Sequence, residues 1–520
     1  MKHRDCFIGY DLGTSGVKTA LIDSDGRLLH SEFASYQTRS RNPGWHEQDP
    51  NEWWSAIVGT TRRTMRASKI LPRDVQAISF GVQAVGTIPV DKEARALLPC
   101  MTWLDARSVD QAKRINEAMG DNLLAKDYAP KALWIKENRS DVFQKAHKIV
   151  ECGGYLIAKF SGKFVMPGDV SQFAGFDGES RKWKYEPLVQ AGDKLPELAG
   201  PTEIVGETTS RAARELGLRP GIPVVAGGSD FAAAVIGSGA IKRRRAHVYL
   251  GSSAWIAVIA EKPVTMPAGA GGPGMIFPIP FLDRWIIGGE TESACACLNW
   301  FQDELAKDLT DKAKRSGRTP HQMLDRMAEK VEPGSSDLLF VPWMKGERAP
   351  VKDDFARGAF MGLTLAHRRE HLVRAVMEGV ACNVRWILDQ IEAFDLGFRV
   401  ESLRGIGGGF KSKIWTQIFA DVMGMRMQAV KWPRHAGAIG AALFAATGLG
   451  VYKNLDDLDG LLPIAFEGAP VQERRHAYER LATNFKNTYP SEISEIYHEW
   501  GARLAQGEPA RRGADPSQAQ

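Results

Sequence analysis

The chain has 520 residues, of which 44% are hydrophobic and 25% charged, and its formal net charge is +5. This length allows two or more domains with separate cores, and the composition is that of an ordinary globular protein. The dense basic run Lys242–Arg245 is short and has no interleaved aromatic residues, so we do not expect nucleic acid as a partner.

Six cysteines are scattered along the chain and form no pair of ligand doublets of the zinc type. Lys2–Asp5 leads directly into a strand-like segment without a signal-peptide pattern, so we expect reduced thiols in a cytoplasmic protein. Ala436–Tyr452, the longest uncharged stretch, is too weakly apolar to span a bilayer, and we expect no membrane partner. Cys295 and Cys297 either bind a metal, are redox-active or, as we favour, are buried small residues on a helix.

The first motif is the glycine-containing turn FIGYDLGTSG, Phe7–Gly16, whose backbone N–H groups and hydroxyls suit phosphate oxygens. A dinucleotide-binding unit has a helix directly after such a turn. Here Val17–Asp23 is typical of a strand, and Arg27–Phe33 of a strand that returns after a hairpin turn. The first helix begins only after Asp49, a capping residue, and a further strand, Val75–Val82, follows it. This order predicts an α/β lobe that is ribonuclease-H-like.

An acidic residue, Asp11, stands where a dinucleotide-binding turn usually has its second glycine. A carboxylate beside bare phosphates is repulsive, whereas a carboxylate beside Mg²⁺ that is bound to those phosphates is attractive. Asp11 therefore predicts a metal–nucleotide complex, held directly or through water.

The turn recurs in the second half of the chain, because Leu12–Ile22 is similar to Leu250–Ala260 and each follows a strand-like segment. The repeat predicts two ribonuclease-H-like lobes, of the actin, Hsp70 and sugar kinase superfamily, with a cleft between them. Facing turns of this kind would bind one polyphosphate from both sides.

Further segments resemble the FGGY family of carbohydrate kinases, and xylulose kinases most. They are Gly44–Trp54 (GWHEQDPNEWW), Trp103–Arg107 (WLDAR), Gly346–Pro350 (GERAP), Arg374–Arg385, Gly405–Gly424 and Gly437–Gly450, in the family's order. The likeness runs from about Phe7 to about Gly450. It implies an N-terminal lobe over 1–242, a C-terminal nucleotide-binding lobe over 243–465, and a C-terminal helix and mobile tail over 466–520.

The resemblance assigns catalytic and nucleotide-binding roles. The family's catalytic Asp falls on Asp230, which follows an apolar strand (Ile222–Ala226) and would accept the proton of the attacking hydroxyl. The alternative is an ordinary helix cap. The nucleotide- and phosphate-binding residues are Gly13, Thr14, Ser15, Lys18, Gly251, Ser252, Ser253, Gly408, Gly409 and Ser412, with ATP and Mg²⁺ as the implied ligands. The glycines would lie against base and ribose, and Ser412 would hydrogen-bond the base.

The residues expected around the sugar are Gln83, Trp103, Asp105, Arg107, Asp230 and Phe231. Xylulose kinases have Gln-Met-His-Gly at the segment that begins with Gln83, and this chain has Ala84 and Val85 in place of the Met and His. The pocket therefore lacks one imidazole, which weakens an assignment to D-xylulose itself. Asp105 and Arg107 either bind sugar hydroxyls or form a structural ion pair.

The resemblance implies an ATP-dependent kinase that phosphorylates a hydroxyl of a small sugar, in the first place a pentulose. Kinases for glycerol, another polyol or a ketohexose are alternatives, and an ATPase module of the chaperone or actin type is a less favoured one. A homodimer and the roles of His46 and His435 stay open.

Overall fold

The computed structural model describes residues 5–170, 175–177, 182–262, 264, 276–281, 284–489, 495, 498 and 499. The chain divides into two compact units. The first contains the residues up to Lys242 together with Ile279–Trp285 and Arg434–Pro463, and the second contains the rest. The structure has two seven-stranded sheets with helices packed on them, which is the two-domain α/β architecture that the sequence predicts.

The strands of the two large sheets and of five short pairs account for the β-structure of the described residues. The strands of the large sheets are β1 (Cys6–Leu12), β2 (Gly16–Asp23), β3 (Leu28–Ser35), β4 (Val75–Val82), β5 (Ile204–Glu207), β6 (Pro223–Val225), β7 (Gly228–Ser229), β8 (Arg245–Leu250), β9 (Ala254–Ala260), β10 (Ile276–Phe281), β11 (Arg284–Thr291), β12 (Ser402–Ile406), β13 (Arg426–Val430) and β14 (Ile464–Gly468). The short pairs are Glu47–Gln48 with Cys100–Met101, Ile88–Val90 with Lys148–Val150, Val165–Pro167 with Glu197–Ala199, Phe176–Asp177 with Lys182–Trp183, and Leu339–Val341 with Ala359–Met361.

The α-helices of the described residues are α1 (Pro50–Ser68), α2 (Val109–Met119), α3 (Tyr128–Asn138), α4 (Ser140–Lys145), α5 (Cys152–Ser161), α6 (Glu186–Val189), α7 (Ser210–Leu216), α8 (Asp230–Ser238), α9 (Cys295–Trp300), α10 (Asp308–Arg315), α11 (Pro320–Ala328), α12 (Arg369–Ile391), α13 (Lys413–Met423), α14 (Ala436–Gly448) and α15 (Arg475–Lys486).

The first sheet has the order β5-β6-β4-β1-β2-β3, and β7 also pairs with β4. β1, β2 and β3 form an antiparallel meander, and β4 lies parallel to β1 on its other side. Every residue of β1 is buried, as expected for a strand that is covered on both faces. Asp49 caps α1 by accepting a hydrogen bond from the Asn51 N–H at 2.9 Å. The predicted order of three antiparallel strands, a helix and a strand is therefore confirmed.

The second sheet, with the order β10-β11-β9-β8-β12-β13-β14, repeats the first around its hairpin. β8 is antiparallel to β9 and parallel to β12, as β1 is to β2 and β4. β12 and β13 are parallel and β14 is antiparallel to β13, as in the β4-β6-β5 edge. The hairpins pair Leu12 with Val17 and Leu250 with Ala254, so the second turn is one residue shorter.

Helix α14 belongs to the first unit although it lies late in the sequence. A Cβ added at Gly9 of β1 would lie 2.1 Å from the Ala438 carbonyl oxygen, and one at Gly237 of α8 would lie 1.8 Å from the Ala436 carbonyl oxygen. Only glycine permits such close packing, which attaches α14 to β1 and α8. The lobe that we predicted over 243–465 is thereby divided, because Arg434–Pro463 groups with the first unit.

None of the helices in the described ranges is long and apolar enough to cross a bilayer. In the predicted C-terminal segment over 466–520, the structure has the end of β14 and the helix α15. The part predicted as a mobile tail lies outside the described residues.

Candidate active site

Three adjacent parallel strands of the first sheet end at one edge, and each brings a predicted site residue there. Asp11 of β1 pairs in register with Gly81 of β4, and Gly81 pairs with Gly228 of β7. Gln83 follows β4 directly, and Asp230 follows β7 directly. With neighbouring strands roughly 4.8 Å apart, the backbones at Asp11 and Gly228 are about two strand spacings from each other. The carboxyl edge of a sheet of this kind is where α/β proteins bind ligands.

Asp230 is the first residue of α8, and the residue before it, Ser229, caps the helix. The Ser229 hydroxyl accepts a hydrogen bond from the Ala232 N–H at 3.1 Å, so the capping role that was the alternative for Asp230 is filled by its neighbour. A carboxylate in the first turn is stabilised by the positive end of the helix dipole. Phe231, the next residue, is half-buried like Asp230.

A buried carboxylate that the sequence analysis missed, Asp169, holds the turn in front of Asp230. Its Oδ2 accepts a hydrogen bond from the Ser229 N–H at 2.7 Å. A Cβ at Gly228 would lie 2.8 Å from the same oxygen, so the carboxylate can approach this strand only because residue 228 is glycine. Asp169 lies in the short 3₁₀ helix Gly168–Val170, and no pattern in the sequence predicts this contact.

Asp11 lies 2.9 Å from the Lys18 ammonium, its partner in the β1–β2 register. A Cβ at Gly437 would lie 2.8 Å from the Asp11 Oδ2, so the carboxylate also lies against the first turn of α14. Within the described part of the chain, no cluster of three or more His, Cys, Asp or Glu side chains could hold a metal ion. A single carboxylate nevertheless suits Mg²⁺, which keeps several waters and binds through one or two carboxylates plus phosphate oxygens.

The turn Gly13–Ser15, which we predict to bind phosphate, is held in place by three side chains from elsewhere in the first unit. The Tyr36 hydroxyl donates to the Gly13 carbonyl. The Trp103 indole N–H donates to the Thr14 hydroxyl at 2.9 Å, and the Gln48 amide donates to the Thr14 carbonyl at 2.7 Å. Ser15 is exposed. The structure therefore brings Trp103, predicted for the sugar, into contact with Thr14, predicted for phosphate.

Gln83 is buried, and only the N–H side of its amide has a hydrogen-bond partner among the described residues. Its amide N–H donates to the Gln48 Oε1 at 2.7 Å, an oxygen that also accepts from the Trp53 indole at 3.1 Å. The Gln83 Oε1 is buried and has no hydrogen-bond partner among the described residues. Because buried acceptors in native proteins are rarely left unpaired, this oxygen is suited to a donor on a ligand, such as a sugar hydroxyl.

Asp105 and Arg107 form a buried ion pair. The Arg107 Nε lies 2.9 Å from Asp105 Oδ1 and its Nη2 lies 2.7 Å from Oδ2, while Glu47 accepts a further hydrogen bond at 2.7 Å. The guanidinium carbon is 3.6 Å from the centre of the Trp45 ring. Asp105 also accepts from the His46 N–H at 2.7 Å. We predicted either sugar binding or a structural ion pair for Asp105 and Arg107, and the structure shows the ion pair.

A second residue that the sequence analysis missed, Lys131 of α3, contacts the loops that carry Gln83 and Trp103, two residues predicted to bind the sugar. Its ammonium donates to the backbone carbonyls of Val85 at 2.9 Å, Thr102 at 2.7 Å and Met101 at 3.5 Å. Lys131 is fully buried, and burial lowers its pKa to about 8. The lysine thereby connects the loop after Gln83 to the loop before Trp103. A lysine among the apolar residues of YAPKALWI is the only hint in the sequence.

In the second unit, the turn Gly251–Ser253 is tied to the start of α9. The carbonyl of Gly251 accepts from the Cys295 N–H at 2.9 Å, and the carbonyl of Ser252 accepts from the Ala294 N–H at 2.8 Å. Ser252 itself is exposed. The carbonyls of this turn are thus used by the protein, and so is the Gly251 N–H, which donates to the Ser253 carbonyl at 2.9 Å. The part of the turn that suits an anion is therefore the exposed Ser252, with its N–H and its hydroxyl.

The glycine triplet Gly407–Gly409 packs against the same hairpin. Gly407 has φ of +93°, and a Cβ there would lie 2.5 Å from the Leu250 carbonyl oxygen. A Cβ at Gly409 would lie 2.5 Å from the Leu250 Cδ2, whereas Gly408 is exposed. The outer two glycines are therefore required by packing, and the exposed middle one provides the bare backbone surface.

Ser412 caps α13, and its hydroxyl accepts from the Trp415 N–H at 3.1 Å. The same hydroxyl donates to Asp325 of α11 at 2.8 Å. Asp325, which the sequence analysis did not single out, is half-buried, and burial raises its pKa to about 6.

The GERAP segment lies beside the second phosphate turn. Arg348 pairs with Glu290 at 2.9 Å and with Glu292, and Glu290 accepts a hydrogen bond from the Ser253 side chain. Glu347 is buried and accepts from the Thr291 hydroxyl at 2.6 Å, and burial raises its pKa to about 8. Glu290 thus contacts both Arg348 and Ser253, and Ser253 is a predicted phosphate-binding residue.

Cys295 and Cys297 both lie on α9, as in the interpretation that we favoured. Burial raises the pKa of each thiol to about 12, so neither is a thiolate at neutral pH.

The comparisons with known proteins agree with the fold. Residues 6–237 match the N-terminal domain of the FGGY family of carbohydrate kinases, and residues 246–449 match its C-terminal domain. The chain is 30% identical to the xylulose kinase of Escherichia coli K12, covering 93% of this chain and 98% of that protein. It is 29% identical to the gluconokinase of Bacillus subtilis 168, covering 92% and 94%.

Among solved structures, a ligand-bound xylulose kinase from Lactobacillus acidophilus has the same fold, with a TM-score of 0.81 and 23% identity over 95% of this chain and 99% of that one. The two family models together span most of the chain. The protein therefore belongs to the FGGY family of carbohydrate kinases and is a phosphotransferase.

Proposed function

We propose that this kinase transfers the γ-phosphoryl group of ATP to a hydroxyl of a small sugar, and that the sugar is a pentulose. The observation that carries the proposal is the common sheet edge of Asp11, Gln83 and Asp230, where one residue suits a metal, one a sugar hydroxyl and one a proton. Similarity to a xylulose kinase over nearly the whole chain supports the substrate class.

Asp230 acts as the general base. As the sugar hydroxyl attacks phosphorus, its proton passes to the carboxylate, which must be ionised and free of a capping duty. Both conditions are favoured here, because the helix dipole stabilises the charge and Ser229 caps the helix. Asp169 acts through the backbone of Ser229 and is a positioning residue.

In the first unit we assign phosphate binding to the turn Gly13–Ser15 and Lys18, and in the second unit to the turn Gly251–Ser253. Mg²⁺, when bound to the nucleotide, neutralises charge on the phosphates. Asp11 would hold that ion directly or through water. Lys18 then balances the charge of Asp11 in the protein without nucleotide, since the two lie 2.9 Å apart.

Substrate choice is argued from the charges on the sugar side. The Gln83 Oε1 is suited to a hydroxyl. Two cations at the loops around Gln83 and Trp103 are already engaged, Arg107 with Asp105 and Lys131 with backbone carbonyls. A carboxylate on the substrate would need a cation, so a neutral sugar is favoured over gluconate. Val85 in place of an imidazole favours a pentulose other than D-xylulose.

The experiment is a phosphoryl-transfer assay with ATP and a panel of D-xylulose, other pentuloses, glycerol, D-fructose and D-gluconate, with the product identified by ³¹P NMR. We expect the highest kcat/KM for a pentulose. Turnover that is highest for D-gluconate or glycerol would contradict the substrate class, and ATP hydrolysis that no sugar stimulates would contradict the kinase activity on these substrates.

A further inference from the structure

The hydroxyl of Ser412 is not available to donate to a nucleotide base. It accepts from the Trp415 N–H at 3.1 Å and donates its proton to the Asp325 Oδ1 at 2.8 Å. The group that this corner of the second unit offers to a ligand is therefore the carboxylate of Asp325, an acceptor, rather than the hydroxyl that we expected from the sequence.

Asp325 lacks a cationic partner among the described residues. Its interactions there are the hydrogen bond from Ser412 and the electrostatic influence of Glu329, which is itself negative. A half-buried carboxylate in such surroundings is stabilised by any additional N–H or O–H donor. It repels phosphate, because two negative charges at short range are unfavourable.

The position of Asp325 predicts how a bound nucleotide is oriented in the second unit. Ser412 follows the glycine triplet after three residues, and the triplet packs against the hairpin that ends in the turn Gly251–Ser253. N–H groups and hydroxyls at that turn favour phosphates, whereas the carboxylate at Asp325 favours the uncharged, donor-bearing end of the nucleotide. The nucleoside is therefore expected at Asp325 and the phosphates at the turn.

We propose that the Asp325 carboxylate accepts a hydrogen bond from the exocyclic amine of adenine and so selects ATP over nucleotides with a 6-oxopurine base. The inference rests on the proposed function, in which ATP is the phosphoryl donor, and it places the nucleoside at the exposed Gly408 of the glycine triplet. A 6-oxopurine places a carbonyl oxygen where adenine has the amine, and that oxygen faces the carboxylate without a proton between them.

The test compares ATP, ITP and 2′-deoxy-ATP as phosphoryl donors for wild type, Asp325→Asn and Glu329→Gln. Glu329 is an exposed carboxylate one turn along from Asp325, so its neutralisation is the matched control. A hydrogen bond to a charged acceptor predicts a wild-type preference for ATP over ITP of roughly 10- to 100-fold in kcat/KM. Asp325→Asn offers an N–H to the 6-oxo group, so the ATP-to-ITP ratio should fall by about tenfold or more, and Glu329→Gln should keep the wild-type ratio.

Binding of ADP and IDP by titration calorimetry provides a readout that does not depend on the sugar, and the isosteric Asn variant preserves the shape of the site. An unchanged ratio in Asp325→Asn would overturn this inference while leaving the kinase activity intact. A change in the ATP to 2′-deoxy-ATP ratio in place of the ATP-to-ITP ratio would also overturn it, because the carboxylate would then contact the ribose. Absence of any nucleotide binding in wild type would contradict the proposed function and the inference together.

Discussion

The indole N–H of Trp103 donates a 2.9 Å hydrogen bond to the hydroxyl of Thr14, and this contact joins the loop at Trp103 to the turn Gly13–Ser15. Gln48 adds a second connection, since it donates to the Thr14 carbonyl and accepts from Gln83, both at 2.7 Å. Residues that the sequence assigns to two different ligands thus belong to one hydrogen-bonded network.

Replacing Trp103 by Phe keeps an aromatic ring and removes the N–H that reaches Thr14. Loss of one hydrogen bond of about 0.5–1.5 kcal/mol should raise the KM values for both sugar and ATP by roughly 2- to 12-fold. Steady-state kinetics with each substrate varied in turn measures this. Trp300→Phe, at an exposed tryptophan of α9, is the control. A change confined to the sugar KM would show that the two sites are not coupled through this bond.

Replacing Asp11 by Ala removes the carboxylate that we assign to the magnesium ion. The Mg²⁺ concentration for half-maximal rate should rise, or activity should be lost, while the fold is kept. Titration of the rate with Mg²⁺ at constant ATP measures the effect, with Asp25→Ala on the exposed β2–β3 turn as the control. An Mg²⁺ dependence equal to that of wild type would remove Asp11 from the metal site.

The lowered pKa of Lys131 predicts that the free energy of unfolding depends on pH. Its pKa is about 8 in the folded protein against an ordinary 10.5, so between these values the unfolded chain binds more protons than the folded one. Stability from this residue therefore rises as the pH increases through that window, by up to about 3 kcal/mol. Below pH 8 Lys131 is charged in the folded protein as well, so the full cost of burying its ammonium lowers the free energy of unfolding.

Urea unfolding at pH 7.5 and pH 10 of wild type and Lys131→Met tests this sign. The wild type should gain free energy of unfolding relative to the variant at the higher pH, and Lys113→Met, an exposed lysine of α2, should not differ from wild type in this respect. Parallel pH profiles for wild type and Lys131→Met would contradict the lowered pKa.

The sequence predicted the strand order of the first unit because local patterns determine it. The hairpin after Phe7–Gly16 and the Asp49 cap of α1 are short-range features, and the structure has both. The repeat at Leu250 likewise reflects a second hairpin of the same topology. The sequence did not predict that α14 belongs to the first unit. Its attachment there depends on glycine contacts between segments that are distant in the sequence.

The site residues that the sequence analysis missed act through long-range contacts. Asp169 reaches the Ser229 backbone, Lys131 reaches three carbonyls, and Asp325 reaches Ser412. No periodicity or motif marks such residues, since each is set by tertiary packing. For Asp105 and Arg107 the sequence motif suggested sugar binding. In the structure, the polar atoms of these two side chains hydrogen-bond to each other.

The central claim is that Asp230 takes the proton of the sugar hydroxyl, and the most direct measurement is the rate of phosphoryl transfer in Asp230→Asn under single-turnover conditions. The substitution keeps the shape and removes the base, so the rate should fall by roughly 10²- to 10⁴-fold. Binding of ADP by calorimetry should stay within about twofold of wild type, and Asp193→Asn, at an exposed aspartate of the same unit, should transfer normally. Near-normal transfer by Asp230→Asn would contradict the account.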